Sequence, residues 1–200
     1  MHSLDDSGAV FNYHRNMAAL HGSESSLALG WLNYNDQQIR FEALTGIADL
    51  KGKTILDAGC GYADLLVFLT TDNQPAHYYG VEQIPELMEE AKNRYGHLPS
   101  VTFIARNFMN ADLPVVDYVF ASGSLNYGSN DSGYIFKAIS RLFESCKAGL
   151  AFNLLKYVPG SGLLVSYEPE IIIVYCRTLS NTVILKDDYD DQDYTVWMYR

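Results

Sequence analysis

Ile55-Leu56-Asp57-Ala58-Gly59-Cys60-Gly61-Tyr62-Ala63 is the stretch whose reading decides the fold. The run Thr54-Ile55-Leu56 reads as a strand ending on Asp57, and Leu65-Leu66-Val67-Phe68-Leu69 as a buried helix. Between them lies a turn carrying two glycines. Glycine lets the backbone turn sharply and lets a ligand come close. The helix that follows presents unpaired N–H groups and the positive end of its dipole. In open parallel sheets, ligands bind at the carboxyl ends of the strands, near the switch in strand order. Two glycines after a strand are a weak signal alone. Glu82 strengthens them, because it ends the next strand about twenty residues beyond the loop. An acid there can accept hydrogen bonds from both hydroxyls of a ribose.

Outward from this loop, short apolar runs alternate with amphipathic stretches. Tyr78–Val81, Val101–Ile104, Val115–Ala121 and Gly149–Leu155 read as strands two to five. Pro85 opens a helix at its first turn, where a missing N–H costs nothing, and Leu87, Met88 and Ala91 recur in it at helical spacing. Ile135, Ala138, Ile139, Leu142 and Phe143 form a second such stripe, and Pro169 heads a helix running to about Leu179. Thr182–Leu185 and Tyr194–Tyr199 close the chain as two strands without a helix between them, so they should pair antiparallel. Alternation of strand and helix implies right-handed parallel crossovers. The expected fold is α/β: a Rossmann-like, doubly wound, seven-stranded sheet, mostly parallel with an antiparallel last strand, and helices on both faces.

The first part of the chain stands apart. It has no convincing strand before a helix expected over Asn35–Ala48, whose stripe is Ile39, Ala43, Leu44 and Ile47 and whose exit is assigned to Gly52. Residues 1–34 are therefore expected to form a lid or extension, and residues 35–200 the ligand-binding domain. No apolar run approaches ~18 residues, as a membrane span would need, and the N-terminus lacks a basic region followed by an apolar one. Cys60, Cys146 and Cys176 lie far apart with no CxxC pair and no zinc spacing, which suits a reducing cytoplasm and predicts no metal. A net charge of −10 disfavours nonspecific nucleic-acid binding, which needs clustered Lys and Arg. The acidic run Asp187-Asp188-Tyr189-Asp190-Asp191-Gln192-Asp193 is expected to be a solvated turn.

The glycine segment resembles motif I of the class I methyltransferases that depend on S-adenosylmethionine (SAM): an acidic residue, then G-x-G-x-G after an apolar strand. Here Ala63 replaces the third glycine. The resemblance extends over residues ~35–200 through the strand order and the reversed last strand. It implies SAM as cofactor, with Gly59, Cys60 and Gly61 close to its methionine part and Asp57 fixing the loop. It also implies Glu82 on the ribose, Gln83, Asn107 and Phe108 around the adenine, and Ser122 beside the sulfonium. A dinucleotide is the rival ligand, but Asp64 stands where the G-x-G-x-x-G cradle has its last glycine and would repel phosphate. Asp64 suits the first helical turn instead.

Methyl transfer from a sulfonium is an in-line displacement that mainly needs alignment. Asn126 and Tyr127, after strand four, and Tyr13 and His14, in a segment rich in polar aromatics that includes His21, Trp31 and Tyr34, are the candidate catalytic residues on the acceptor side. Asn153, polar within an apolar strand, satisfies backbone groups or contacts substrate. Gln37 and Arg40 share a helix face, either as a surface pair or with Arg40 on the cofactor carboxylate, as helices before motif I do in the family. The Asn/Asp-Pro-Pro-aromatic signature of amino-directed nucleic-acid methyltransferases is absent. These readings point to a cytoplasmic methyltransferase acting on a small molecule. A protein or RNA methyltransferase and a noncatalytic SAM-binding protein are the alternatives.

Overall fold

The computed structural model describes residues 8, 10–13, 15–17, 34–158 and 162–200. His14, His21 and Trp31 lie outside them. Residues 8, 10–13 and 15–17 are helical. After them come α1 (Tyr34–Thr45), β1 (Thr54–Ala58), α2 (Asp64–Asp72), β2 (His77–Glu82), α3 (Pro85–Tyr95) and β3 (Val101–Ala105). The second half comprises β4 (Val116–Ala121), α4 (Tyr134–Glu144), β5 (Cys146–Leu155), α5 (Pro169–Leu179), β6 (Thr182–Lys186) and β7 (Asp193–Tyr199).

The seven strands form one sheet in the order β3-β2-β1-β4-β5-β7-β6. β1 pairs in parallel with both β2 and β4, and β7 is antiparallel to both β5 and β6. The expected architecture is therefore the observed one. The chain leaves β1 toward one edge, returns to β4 and builds toward the other, so the switch in strand order falls between β1 and β4. A crevice opens there at the carboxyl ends of the strands.

Each face of the sheet is covered by helices whose apolar stripes the sequence encodes. α4 buries Ile135, Ala138, Ile139, Leu142 and Phe143, and α5 buries Ile172, Ile173 and Cys176, in one core. Phe41 and Leu44 of α1, Leu65, Leu66 and Leu69 of α2, and Met88 and Ala91 of α3 fill the other. Full burial of such a side chain contributes roughly 1.5–3 kcal/mol, so these two layers hold β1 and β4 in place.

Three details differ from expectation. α1 ends at Thr45 and the chain turns at Gly46, where the Trp197 ring lies 3.1 Å from the position a Cβ would take. Trp197 then donates to the Ala43 carbonyl at 2.9 Å, closing the helix end against β7. Gly52, with φ +71°, instead serves the turn into β1. β5 begins at Cys146 rather than Gly149, because α4 stops at Glu144 and the chain enters the sheet after one residue. The acidic run is solvated at Asp187, Asp188 and Asp191, but Asp193 is 1% exposed and opens β7. Its carboxylate is buried because Arg40 of α1 meets it.

Candidate active site

The loop after β1 is shaped by left-handed backbone. Gly59 and Gly61 have φ of +82° and +54°. At Gly59 a Cβ would stand 2.3 Å from the Ser124 Cβ, so the β1 and β4 loops approach too closely for a side chain there. Gly59 and Cys60 both donate to the Val81 carbonyl, at 2.8 and 3.1 Å, tying the loop to β2. Ala63 has φ +65°, and among the described residues it is the one non-glycine in that region. The backbone still has the form a third glycine would give.

Glu82 sits at the centre of this arrangement, buried at the end of β2. Its Oε2 accepts from Gly61 N–H at 3.0 Å, and its Oε1 from Gln83 and Ile84 N–H at 2.8 and 2.9 Å. A carboxylate has about four acceptor positions, so Oε2 retains one for a ligand hydroxyl. Burial raises the Glu82 pKa, and the three backbone donors oppose that rise. Asp57 lies beneath the loop and accepts from the Tyr78 hydroxyl at 2.6 Å. Burial, aided by the neighbouring carboxylates Glu82 and Asp64, pushes Asp57 up to about 7. Gln83 and Asn107 hold each other across the ends of β2 and β3, with Asn107 Nδ2 donating to Gln83 Oε1 at 2.8 Å.

Gln37 and Arg40 are both buried, so the surface-pair reading of α1 does not hold. Gln37 donates to Asp64 in the first turn of α2 at 3.0 Å. Arg40 Nε donates to Asp193 and its Nη1 to the Asp36 carbonyl, while Tyr189 donates to the other Asp193 oxygen at 2.8 Å. Burial pushes the Asp193 carboxyl up, and Arg40 opposes this.

A crevice of about 360 Å³ runs over Gln37, Arg40, the glycine loop and Glu82. Asp57, Gly59, Cys60, Gly61, Glu82, Gln83, Asn107, Phe108, Ser122 and Arg40 all line it. The fold therefore brings every expected cofactor residue to one cavity. Tyr13 and Tyr127 line it as well. Asn126 does not. Its Oδ1 accepts from Leu155 N–H at 3.0 Å and so fixes the end of β5. Asn153 likewise accepts from Gly123 N–H at 2.8 Å through Oδ1, in line with the backbone-satisfying reading. The sequence reading missed Tyr134, Leu164 and Asp193. Tyr134 opens α4 on the ligand face, and an aromatic residue at that helix start was the available signal. Asp193 adjoined an apolar strand, which set it apart from the rest of its acidic run. Leu164 gave no local signal.

Whether the cleft fits an adenosyl ligand can be judged from its polar atoms. A buried acid with one open acceptor position faces the cavity beside a loop of left-handed glycines. In addition, the Ser122 Oγ at the end of β4 is buried with no partner. Both features suit a ribose-bearing ligand seated across the switch point.

Comparison with known proteins decides the class. A family model described as "methyltransferase domain" matches residues 49–156, more than half of the chain. The chain belongs to the methyltransferase domain family. A Mycobacterium tuberculosis protein, Rv1506c, named as a methyltransferase, is 27% identical over 150 residues, covering 72% of this chain and 90% of that one. The magnesium protoporphyrin IX methyltransferase of Synechocystis, solved with SAM bound, superposes with a TM-score of 0.69 at 15% identity, covering 100% of this chain and 99% of its own. A SAM-dependent methyltransferase of Mesorhizobium loti superposes with a TM-score of 0.63 at 11% identity, covering 82% and 99%. This methyltransferase thus has the class I fold, which works with SAM. None of its described helices is long and apolar enough to cross a membrane.

Proposed function

We propose that this methyltransferase transfers the methyl group of SAM to a small-molecule acceptor in the cytoplasm. One observation carries the reading: the crevice that Glu82 lines is also lined by Tyr13, Tyr127, Tyr134, Leu155 and Leu164. Among the described residues, the arginines that line it are Arg40, which is paired with Asp193, and Arg106 beside Asn107. The described lining offers no basic groove for a polyanion, and the chain carries a net charge of −10. Cys60, Cys146 and Cys176 are all buried and unpaired, which suits a reducing compartment.

In this reading Glu82 Oε2 takes a ribose hydroxyl, and Gln83, Asn107 and Phe108 flank the adenine. Asp57, Gly59, Cys60 and Gly61 hold the methionine part, Arg40 takes its carboxylate, and Ser122 lies beside the sulfur. Bound SAM supplies a methyl group already activated on a sulfonium. The chain's own task is to exclude water and hold the acceptor in line. Tyr13 and Tyr127 orient the acceptor, while Asn126 positions the end of β5 rather than touching it. Residues 1–34 act as a lid on the domain formed by residues 35–200. Val10 and Tyr13 line the crevice from the N-terminal helix, and Val10 packs in one cluster with Ile84 and Leu87 at the start of α3.

Incubation with methyl-labelled SAM and a cell extract, followed by separation by size, tests this. Label is expected in the small-molecule fraction. Label in protein or RNA would move the acceptor to a macromolecule, and no transfer to any fraction would contradict catalysis.

A further inference from the structure

α5 carries more apolar surface than its place in the core uses. It buries Ile172, Ile173 and Cys176. Ile171 and Val174, in the same apolar run, are 57% and 65% exposed. With exposed Thr178 they stand at i, i+3 and i+7, one stripe along the outer face. The neighbouring helices place polar groups outside: Glu89, Lys92 and Asn93 on α3, and Lys137 and Glu144 on α4. A helix that is apolar on every side is a buried helix. β-branched residues also lower helix propensity, so Ile171 and Val174 bring a single chain little burial and no helical advantage.

The charges beside this stripe are ordered. Glu170 and Arg177 are seven residues apart, so they lie on one flank of the helix, and both are exposed. Among the described residues, neither has an ion-pair partner within its own chain. Val174 stands midway between them in the helix. The face is thus acidic at its N-terminal end, apolar at its centre and basic at its C-terminal end. Such a face is complementary to itself when reversed. A two-fold axis at Val174 would bring Glu170 of each copy beside Arg177 of the other and set the two helix dipoles in opposition.

We propose that this chain forms a homodimer by antiparallel packing of α5 on α5 across a two-fold axis at Val174. The face is held in place for this. Tyr175 packs on Phe136 of α4 with ring centroids 4.6 Å apart, and its hydroxyl donates to the Phe136 carbonyl at 3.1 Å and lies 2.7 Å from Ser140 Oγ. α5 is thereby fixed to α4 through a side chain that the stripe does not need. No described residue of α5 lines the crevice, so the dimer keeps one separate crevice per chain and is independent of the SAM reading.

Sedimentation equilibrium on the full chain tests the proposal. A single helix pair buries less than the ~1,200–2,000 Å² of a standard interface, so the dimer is weak and is sought at roughly 100 µM. A dimer is expected there. Val174→Lys sets two like charges together at the two-fold axis and should weaken it at least ~10-fold. Arg177→Glu makes both flanking positions acidic, and Glu170→Arg makes both basic. Each variant alone should lose self-association, and an equal mixture of the two should recover it, because each then meets the opposite charge. If Val174→Lys does not fold, the mixture decides alone. A monomeric wild-type chain, a dimer equally tight in wild type and all folded variants, or a mixture that stays monomeric would overturn the proposal.

Discussion

At the scale of single residues, the site is a set of local conflicts resolved in favour of a ligand. Ala63 holds φ +65° without being glycine, a conformation that costs an L-residue roughly 1–2 kcal/mol. Ala63→Gly should therefore raise stability by about 0.5–1 kcal/mol in urea unfolding, and a loss of stability would show that the alanine methyl packs too well to release. Glu82 ends a strand at the ligand face, where a side chain need not serve the fold. The structure instead makes it the acceptor for three backbone N–H groups. Glu82→Ala should lower SAM affinity at least ~10-fold, since hydrogen bonds to a charged group contribute roughly 1.5–3 kcal/mol. It should also lower Tm, and an unchanged Tm would mean that water replaces the carboxylate. Asp57 adds a dependence on pH. Its pKa is raised in the folded state to about 7 from 3.8, so the native protein binds the proton more tightly than the unfolded chain does. The stability this confers is complete below about pH 4 and is lost as pH rises through 7. Asp57→Asn keeps an oxygen for Tyr78 and removes the titration. Its urea midpoint relative to wild type should climb between pH 5 and pH 8, and a constant difference would contradict the raised pKa.

At the scale of elements, two attachments hold the cofactor end and the acceptor end. Arg40 of α1 and Asp193 of β7 form a buried ion pair that joins residues 153 positions apart in sequence. Removing one partner strands the other charge in the interior, which typically costs ~3–5 kcal/mol. Arg40→Ala should accordingly destabilise the fold by about that much. The loss of SAM affinity assigned to it must be read at a temperature where the variant is still folded. An Arg40→Ala protein as stable as wild type would show that Asp193 is not dependent on its partner. Among the described residues, the N-terminal helix is attached through Val10 and Phe11, which pack in the cluster with Ile84 and Leu87, and through an exposed ion pair between Arg15 and Glu86 at 2.8 Å. Such pairs contribute little. Deleting residues 1–30 should leave a folded protein that binds SAM several-fold more weakly by calorimetry, and should abolish methyl transfer, because a lid excludes water and completes the acceptor site. Full activity after truncation would refute the lid, and failure to fold would assign the segment to the core.

At the scale of the whole molecule, the order of elements was legible because each strand is short, apolar and bounded, and each helix carries its own stripe. The reversal of β7 followed from the missing helix between Thr182 and Tyr199. The loop at Gly59 and the acid at Glu82 were legible because strand, turn and helix chemistry coincide there. What sequence could not show were pairings made across the fold. Asp193 looked like one more solvated acid until α1 placed Arg40 against it. Tyr134 looked like the first residue of a helix, yet it lines the crevice together with Leu155 and Leu164. Asn126 looked like a substrate contact, yet its oxygen serves the backbone of Leu155. The central claim, that Glu82 and the glycine loop hold SAM, is tested most directly by calorimetric titration of SAM and of NAD into the wild-type chain and Glu82→Ala. The account predicts one SAM site per chain, weakened at least ~10-fold in the variant, and no heat from NAD. Binding of NAD without SAM, or SAM bound equally by both proteins, would contradict it.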